Sequence, residues 1–120
     1  MFSLLVLAAS PQVPLLSKMF VSGNELYSYC QSASSVDQGI CTGYIGGVVD
    51  SQITVLTALK LHNPVCGPQN VTTGEMKDIV LRSLREHPEE RHYTAASLVL
   101  GALAEAFPCT SNTSENDLGR

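Results

Sequence analysis

Four cysteines in a chain of 120 residues constrain this sequence more than any other feature. They are Cys30, Cys41, Cys66 and Cys109, and no two of them form a Cys-X-X-Cys pair. That spacing excludes a zinc ribbon and a thioredoxin-like site. An even number of well-separated cysteines in a short chain reads instead as two disulfides. Disulfides form and persist in oxidising compartments, so the chain is expected to be exported.

The N-terminus agrees with export. Phe2–Ala9 is a short apolar run followed by small residues and then by Pro11 and Pro14. It has the length of a signal-peptide core and is too short to span a membrane, although no positively charged segment precedes it. Residues 1–20 are therefore expected to be a leader. Residues 111–120 (SNTSENDLGR) are polar and lack apolar periodicity, so they read as a disordered tail. One domain over residues 21–110 remains, small enough that covalent staples matter to its stability. The net charge of −4 is mild and the seven Lys and Arg residues are scattered. Nucleic-acid binding needs a basic stripe to neutralise phosphates, and no such stripe or polybasic membrane patch is present.

The ordered part reads as four helices. Ser22 and Glu25 form a capping-box pattern, followed by Leu26, Tyr29, Cys30 and Ala33 at helical spacing. A second helix is expected from near Asp37 or Gly39, carrying Ile45, Val48, Val49, Ile53 and Leu56 on one stripe. Gly43, Gly46 and Gly47 each weaken that helix by about 1 kcal/mol relative to Ala. Close approach of a neighbouring helix in the chain is the expected reason, with a second subunit or helix termination as the alternatives. His62–Pro64 and Gly67-Pro68 mark a loop. Thr72 and Glu75 then cap a third helix whose buried stripe is Met76, Ile79, Val80 and Leu84. The fourth carries Ala95, Leu98, Val99, Ala102, Leu103 and Ala106 and stops at Pro108. Gly47–Leu56 is rich in β-branched residues, but no convincing strand alternation exists. The fold class is all-α, a small bundle with short connections.

Catalytic chemistry finds little support. His62 lies in a loop, and Pro88 interrupts any helix between His87 and His92, so no helical zinc-ligand pair forms and no metal or cofactor is expected. No serine sits in a Gly-X-Ser-X-Gly turn. Glu86, Glu89 and Glu90 cluster in a segment expected to be solvated, where nothing raises a carboxyl pKa for acid catalysis. The chain is read as a non-enzyme. Asn70-Val71-Thr72 and Asn112-Thr113-Ser114 match the glycosylation sequon, a weakly specific pattern. Residues 86–92 form the most distinctive charged segment. As a connector, its His87 would complement the C-terminal end of helix three, and Glu89 and Glu90 the start of helix four.

Read in order, the motifs become specific: Ser22-Gly23-Asn24-Glu25-Leu26 leading to Cys30, Cys41-Thr42-Gly43-Tyr44-Ile45-Gly46-Gly47-Val48 with Asp50, Cys66, Val71-Thr72, Leu84-Arg85-Glu86-His87-Pro88-Glu89, Arg91-His92, and Ala106-Phe107-Pro108-Cys109. This ordered set resembles the Rap/Tai immunity family of type VI secretion systems over nearly all of Ser22–Cys109. The family often has Pro where this chain has Thr94, which moves the expected start of helix four by a residue or two. The resemblance implies an exported, helical, disulfide-bonded protein that binds and occludes a peptidoglycan amidase effector in the periplasm, and it implies a homodimer. The reading from another class is a periplasmic stress protein or acid-chaperone-like helical domain without a toxin partner.

Four cysteines allow three pairings. An antiparallel hairpin of helices one and two brings Cys30 beside Cys41, and a second hairpin of helices three and four brings Cys66 beside Cys109. The expected bonds are therefore Cys30–Cys41 and Cys66–Cys109. The expected effector-binding residues are Glu89, Glu90, Arg91 and His92, which can offer charge and donors to a Cys–His hydrolase cleft, with Leu61–Val71 as the alternative surface.

Overall fold

A computed structural model describes residues 21–109. The expected leader over residues 1–20 and the expected tail over residues 111–120 lie outside the described residues. Four α-helices follow one another: α1 (Gly23–Gln31), α2 (Ser35–Ala58), α3 (Thr73–Glu86) and α4 (Ala95–Ala106), with a short 3-10 turn at Pro88–Glu90. The fold is all-α. Among the described residues, extended pairing is limited to a single bridge between Ser22 and Thr94, and the β-branched Gly47–Leu56 stretch lies inside α2.

Local chemistry sets the helix starts. Ser22 accepts from the Glu25 backbone N–H, and the Glu25 carboxylate accepts in return from the Ser22 N–H at 3.1 Å. Thr72 and Glu75 repeat this box at α3, with the Thr72 N–H and hydroxyl donating to Glu75 at 2.9 and 2.8 Å. Those bonds, from the Thr72 backbone first and its side chain second, hold the Glu75 carboxyl below the usual range. Ser34 caps α2 and Thr94 caps α4. α2 thus begins two to four residues before the expected Asp37 or Gly39, because Ser34 supplies the cap and Asp37 the first-turn acid. Ala33, expected on the α1 stripe, falls beyond the end of that helix.

α2 ends on a Schellman motif. Leu61 N–H donates to Leu56 C=O at 2.8 Å and Lys60 N–H to Thr57 C=O at 3.1 Å. Lys60 takes the left-handed conformation (φ 57°) usually left to glycine there.

Each helix contacts the other three. Their shared core is Leu26, Cys30, Cys41, Ile45, Val80 and Leu84 together with Ala95, Val99, Ala102 and Leu103 from α4. No polar or charged side chain is buried among the described residues. Both expected disulfides are present, Cys30–Cys41 and Cys66–Cys109, each with Cα atoms 5.0 Å apart. No described helix is long and apolar enough to cross a membrane.

Among the described residues the expected role of the α2 glycines is overturned. A Cβ built at Gly39, Gly43, Gly46 or Gly47 meets nothing within 4 Å there, so none of α1, α3 and α4 approaches them closely. The expected α2 stripe also ends early. Ile45 is fully buried and Val48 and Val49 pack on the core, but Ile53 is 47 % exposed. The other described helices are too short to cover all of α2, whose 24 residues span about 36 Å.

Candidate functional site

The connector between α3 and α4 is the charged segment singled out from the sequence. Pro88 opens the 3-10 turn, where its missing N–H costs no hydrogen bond. Glu90 N–H donates to His87 C=O, Arg91 N–H to Pro88 C=O, and Tyr93 N–H to Glu90 C=O. The segment is therefore hydrogen-bonded along its length.

Arg91 organises it. Its Nε donates to Leu84 C=O at 2.6 Å and its guanidinium reaches Arg85 C=O at 3.4 Å. These carbonyls belong to the last turn of α3, where the helix dipole favours a cation. The same guanidinium lies 3.8 Å from the centroid of the Tyr27 ring on α1. The cap expected from His87 is thus supplied by Arg91, whose longer side chain reaches back to those carbonyls. The His87 ring instead faces Glu89, Nδ1 to Oε2 at 3.4 Å. Two backbone bonds tie the connector to α1: Gly23 N–H to Tyr93 C=O and Asn24 N–H to Arg91 C=O, both 2.9 Å. Glu89 and Glu90 are left exposed, and so is His92, which stacks on Tyr93 with ring centroids 4.2 Å apart. The Glu89 backbone N–H, then His87 and Arg91, hold the Glu89 carboxyl below the usual range, so it carries full charge at neutral pH.

The four residues expected from the sequence therefore occupy one small region but face different ways. Glu89, Glu90 and His92 point to solvent, while Arg91 is spent on α3 and Tyr27. Beside them a cleft of about 310 Å³, lined by His87, Glu90, Tyr93 and Glu105 among others, opens between α3 and α4. Tyr27 escaped the sequence reading because nothing local links it to Arg91.

Sequence reasoning also missed an apolar groove of about 460 Å³. Val49 and Ile53 of α2, Met76 of α3, Leu100 and Phe107 at α4 and Val65 of the loop line it. Phe107 packs over Gly67, where a Cβ would stand 2.7 Å from the ring, and Cys66 N–H donates to Phe107 C=O at 2.9 Å. The loop Leu61–Val71, the alternative surface, forms one wall of this groove.

Among the described residues, two groups of side chains have metal-ligand atoms within 4.8 Å of one another: His62 with Cys66 and Cys109, and His87 with Glu89 and Glu90. In the first, the disulfide removes both thiolates. The second is a partly exposed imidazole with two exposed carboxylates, an arrangement common on protein surfaces.

Neither a curated protein nor a solved structure matches the chain. The sequence profile of Rap1a immunity proteins matches residues 22–109, a span that takes in the four helices, both disulfides and the connector. With that match over most of its length, the chain belongs to the Rap1a immunity protein family.

Proposed function

We propose that this immunity protein works in the periplasm, where it binds a peptidoglycan amidase effector of a type VI secretion system and blocks its active site. Membership of the Rap1a family carries the reading. The two disulfides support an oxidising compartment. Inhibition by occlusion asks for no catalytic group, only for a surface that keeps its shape when it docks. The connector suits that role, since a segment already ordered by Pro88 and Arg91 loses little freedom on binding. In this reading Glu89, Glu90 and His92 meet the effector, and Arg91 holds them in place.

The test is a Glu89→Ala, Glu90→Ala double variant. It is expected to keep its helical signal and melting behaviour while losing affinity for the captured amidase by about tenfold or more. Binding that survives unchanged in a folded double variant would remove these carboxylates from the inhibitory surface and move it to Leu61–Val71. If the intact chain, recovered from the periplasm, brings down no amidase and inhibits none, the amidase reading itself fails.

Homodimerisation belongs to the same proposal. Gly39, Gly43 and Gly47 recur every four residues on an exposed face of α2, beside Val36 and Ile40, which are 69 % and 42 % exposed. Bare backbone flanked by aliphatic side chains lets a second helix approach closely. Gly47→Leu meets open space among the described residues, so it is expected to leave the fold intact and to shift the protein towards monomer by about tenfold or more in dissociation constant. Light scattering of the unaltered protein that gives a monomer at high micromolar concentration would remove the dimer.

A further inference from the structure

The two disulfides differ in what surrounds them. Cys30 and Cys41 are 1 % and 0 % exposed, and each is held on a helix in the middle of the core. An attacking thiolate cannot reach either sulfur without opening the bundle. Cys66 and Cys109 are both partly exposed. Cys66 sits in the irregular segment 59–72, and Cys109 lies just past the end of α4. Thiol–disulfide exchange depends on access to a sulfur, so solvent reductants meet this pair first.

Two neighbours add to that access. The exposed His62 has a ring nitrogen within 4.8 Å of both sulfurs. The Asn63 carbonyl oxygen lies 3.8 Å from Cys66 Sγ and 3.4 Å from Cys109 Sγ. A disulfide sulfur has no proton to donate to that oxygen, whereas two thiols do. The reduced form therefore finds an acceptor already in place, and the departing sulfur finds the His62 ring beside it.

We infer that Cys66–Cys109 with His62 is a thiol–disulfide exchange site that takes a dithiol as its substrate. One thiolate of the dithiol attacks one cysteine sulfur. The Sγ–Sγ bond breaks, its electron pair leaves on the other sulfur, and that sulfur takes a proton from His62. The second thiolate of the dithiol then attacks the mixed disulfide. This releases the first cysteine sulfur, which is protonated by water, and the reductant departs as its own disulfide. Two electrons pass from the dithiol to the protein. Segment 59–72 is then held to the end of α4 without a covalent tie, chiefly by the Cys66–Phe107 backbone bond and by Phe107 over Gly67. Cys30–Cys41 keeps α1 and α2 joined. Exchange at this site therefore loosens one wall of the apolar groove while the bundle stays folded.

The full oxidised chain, incubated with graded dithiothreitol, alkylated and mapped by peptide mass, tests this. Cys66 and Cys109 are expected to be labelled about tenfold faster than Cys30 and Cys41 or more, with the helical signal retained and new protease cuts within 59–72. His62→Ala is expected to slow labelling of Cys66 and Cys109 several-fold and to leave the buried pair unchanged. Equal rates for the two pairs, or labelling of Cys66 and Cys109 only after the helical signal collapses, would overturn the site. An unchanged rate in a folded His62→Ala protein would overturn the part given to the imidazole.

Discussion

Replacing both Cys30 and Cys41 by alanine is expected to destabilise the domain by about 3–5 kcal/mol. The bond spans only 11 positions, and chain entropy alone assigns such a loop just under about 3 kcal/mol. The same argument gives the 43-position Cys66–Cys109 loop about 1 kcal/mol more. Burial works the other way. Cys30 and Cys41 fill the core between α1 and α2, so their removal also leaves a void costing about 1–2 kcal/mol, whereas the sulfurs of Cys66 and Cys109 border solvent. The two double variants should therefore come out with similar losses for different reasons. Small domains have about 5–15 kcal/mol to lose, so each should still fold at 25 °C with a melting temperature lowered by about 15–30 °C. Urea unfolding monitored by circular dichroism measures both. A Cys30→Ala, Cys41→Ala protein within about 1 kcal/mol of the parent would show that the bond adds little to a core already packed.

Gly23→Ala is expected to cost about 1–3 kcal/mol despite being the mildest substitution available. Gly23 is buried in the first turn of α1. A Cβ there meets the Leu98 side chain and stands 2.8 Å from the Arg91 carbonyl oxygen and 2.9 Å from the Arg91 Cα. Leu98 can rotate its far end away. The Arg91 backbone cannot move without disturbing the bonds from Gly23 and Asn24 that join the connector to α1. Ordinary helix propensity favours Ala by up to about 1 kcal/mol, so the steric term decides the sign. The same displacement shifts the turn that carries Glu89 and Glu90, and under the proposed docking mode a weakened effector complex should accompany the lost stability. A Gly23→Ala protein as stable as the parent would show that the α1–connector junction yields freely.

Much of the fold was legible because its signals are local. Ser22 with Glu25 and Thr72 with Glu75 are capping boxes that need only four consecutive residues, and both helices begin where those boxes place them. Pro108 lies two residues past the end of α4. The disulfide pairing followed from the order of helices and turns, since neighbouring antiparallel helices bring the ends of each hairpin together. The charged connector was visible as composition, and Glu89, Glu90 and His92 lie on the surface as its polarity implies.

The remainder needed the third dimension. An apolar pattern on α2 says which residues prefer burial, but not how many neighbours are long enough to bury them, and so Ile53 ended half in solvent. Gly43 and Gly47 look the same in sequence whether a helix of the same chain or nothing at all lies opposite. Gly23, by contrast, lies against Arg91, 68 positions away, and nothing near it in sequence announces that contact. Arg91 is the clearest case. Its charge suggested a partner outside the chain, yet its guanidinium serves α3 and Tyr27. Caps and turns are settled by residues a few positions apart, whose geometry the chain's own bonds restrict. Which long side chain reaches which carbonyl or ring is settled only when distant segments pack, because many reaches are open to a flexible arginine and the assembled surfaces leave one.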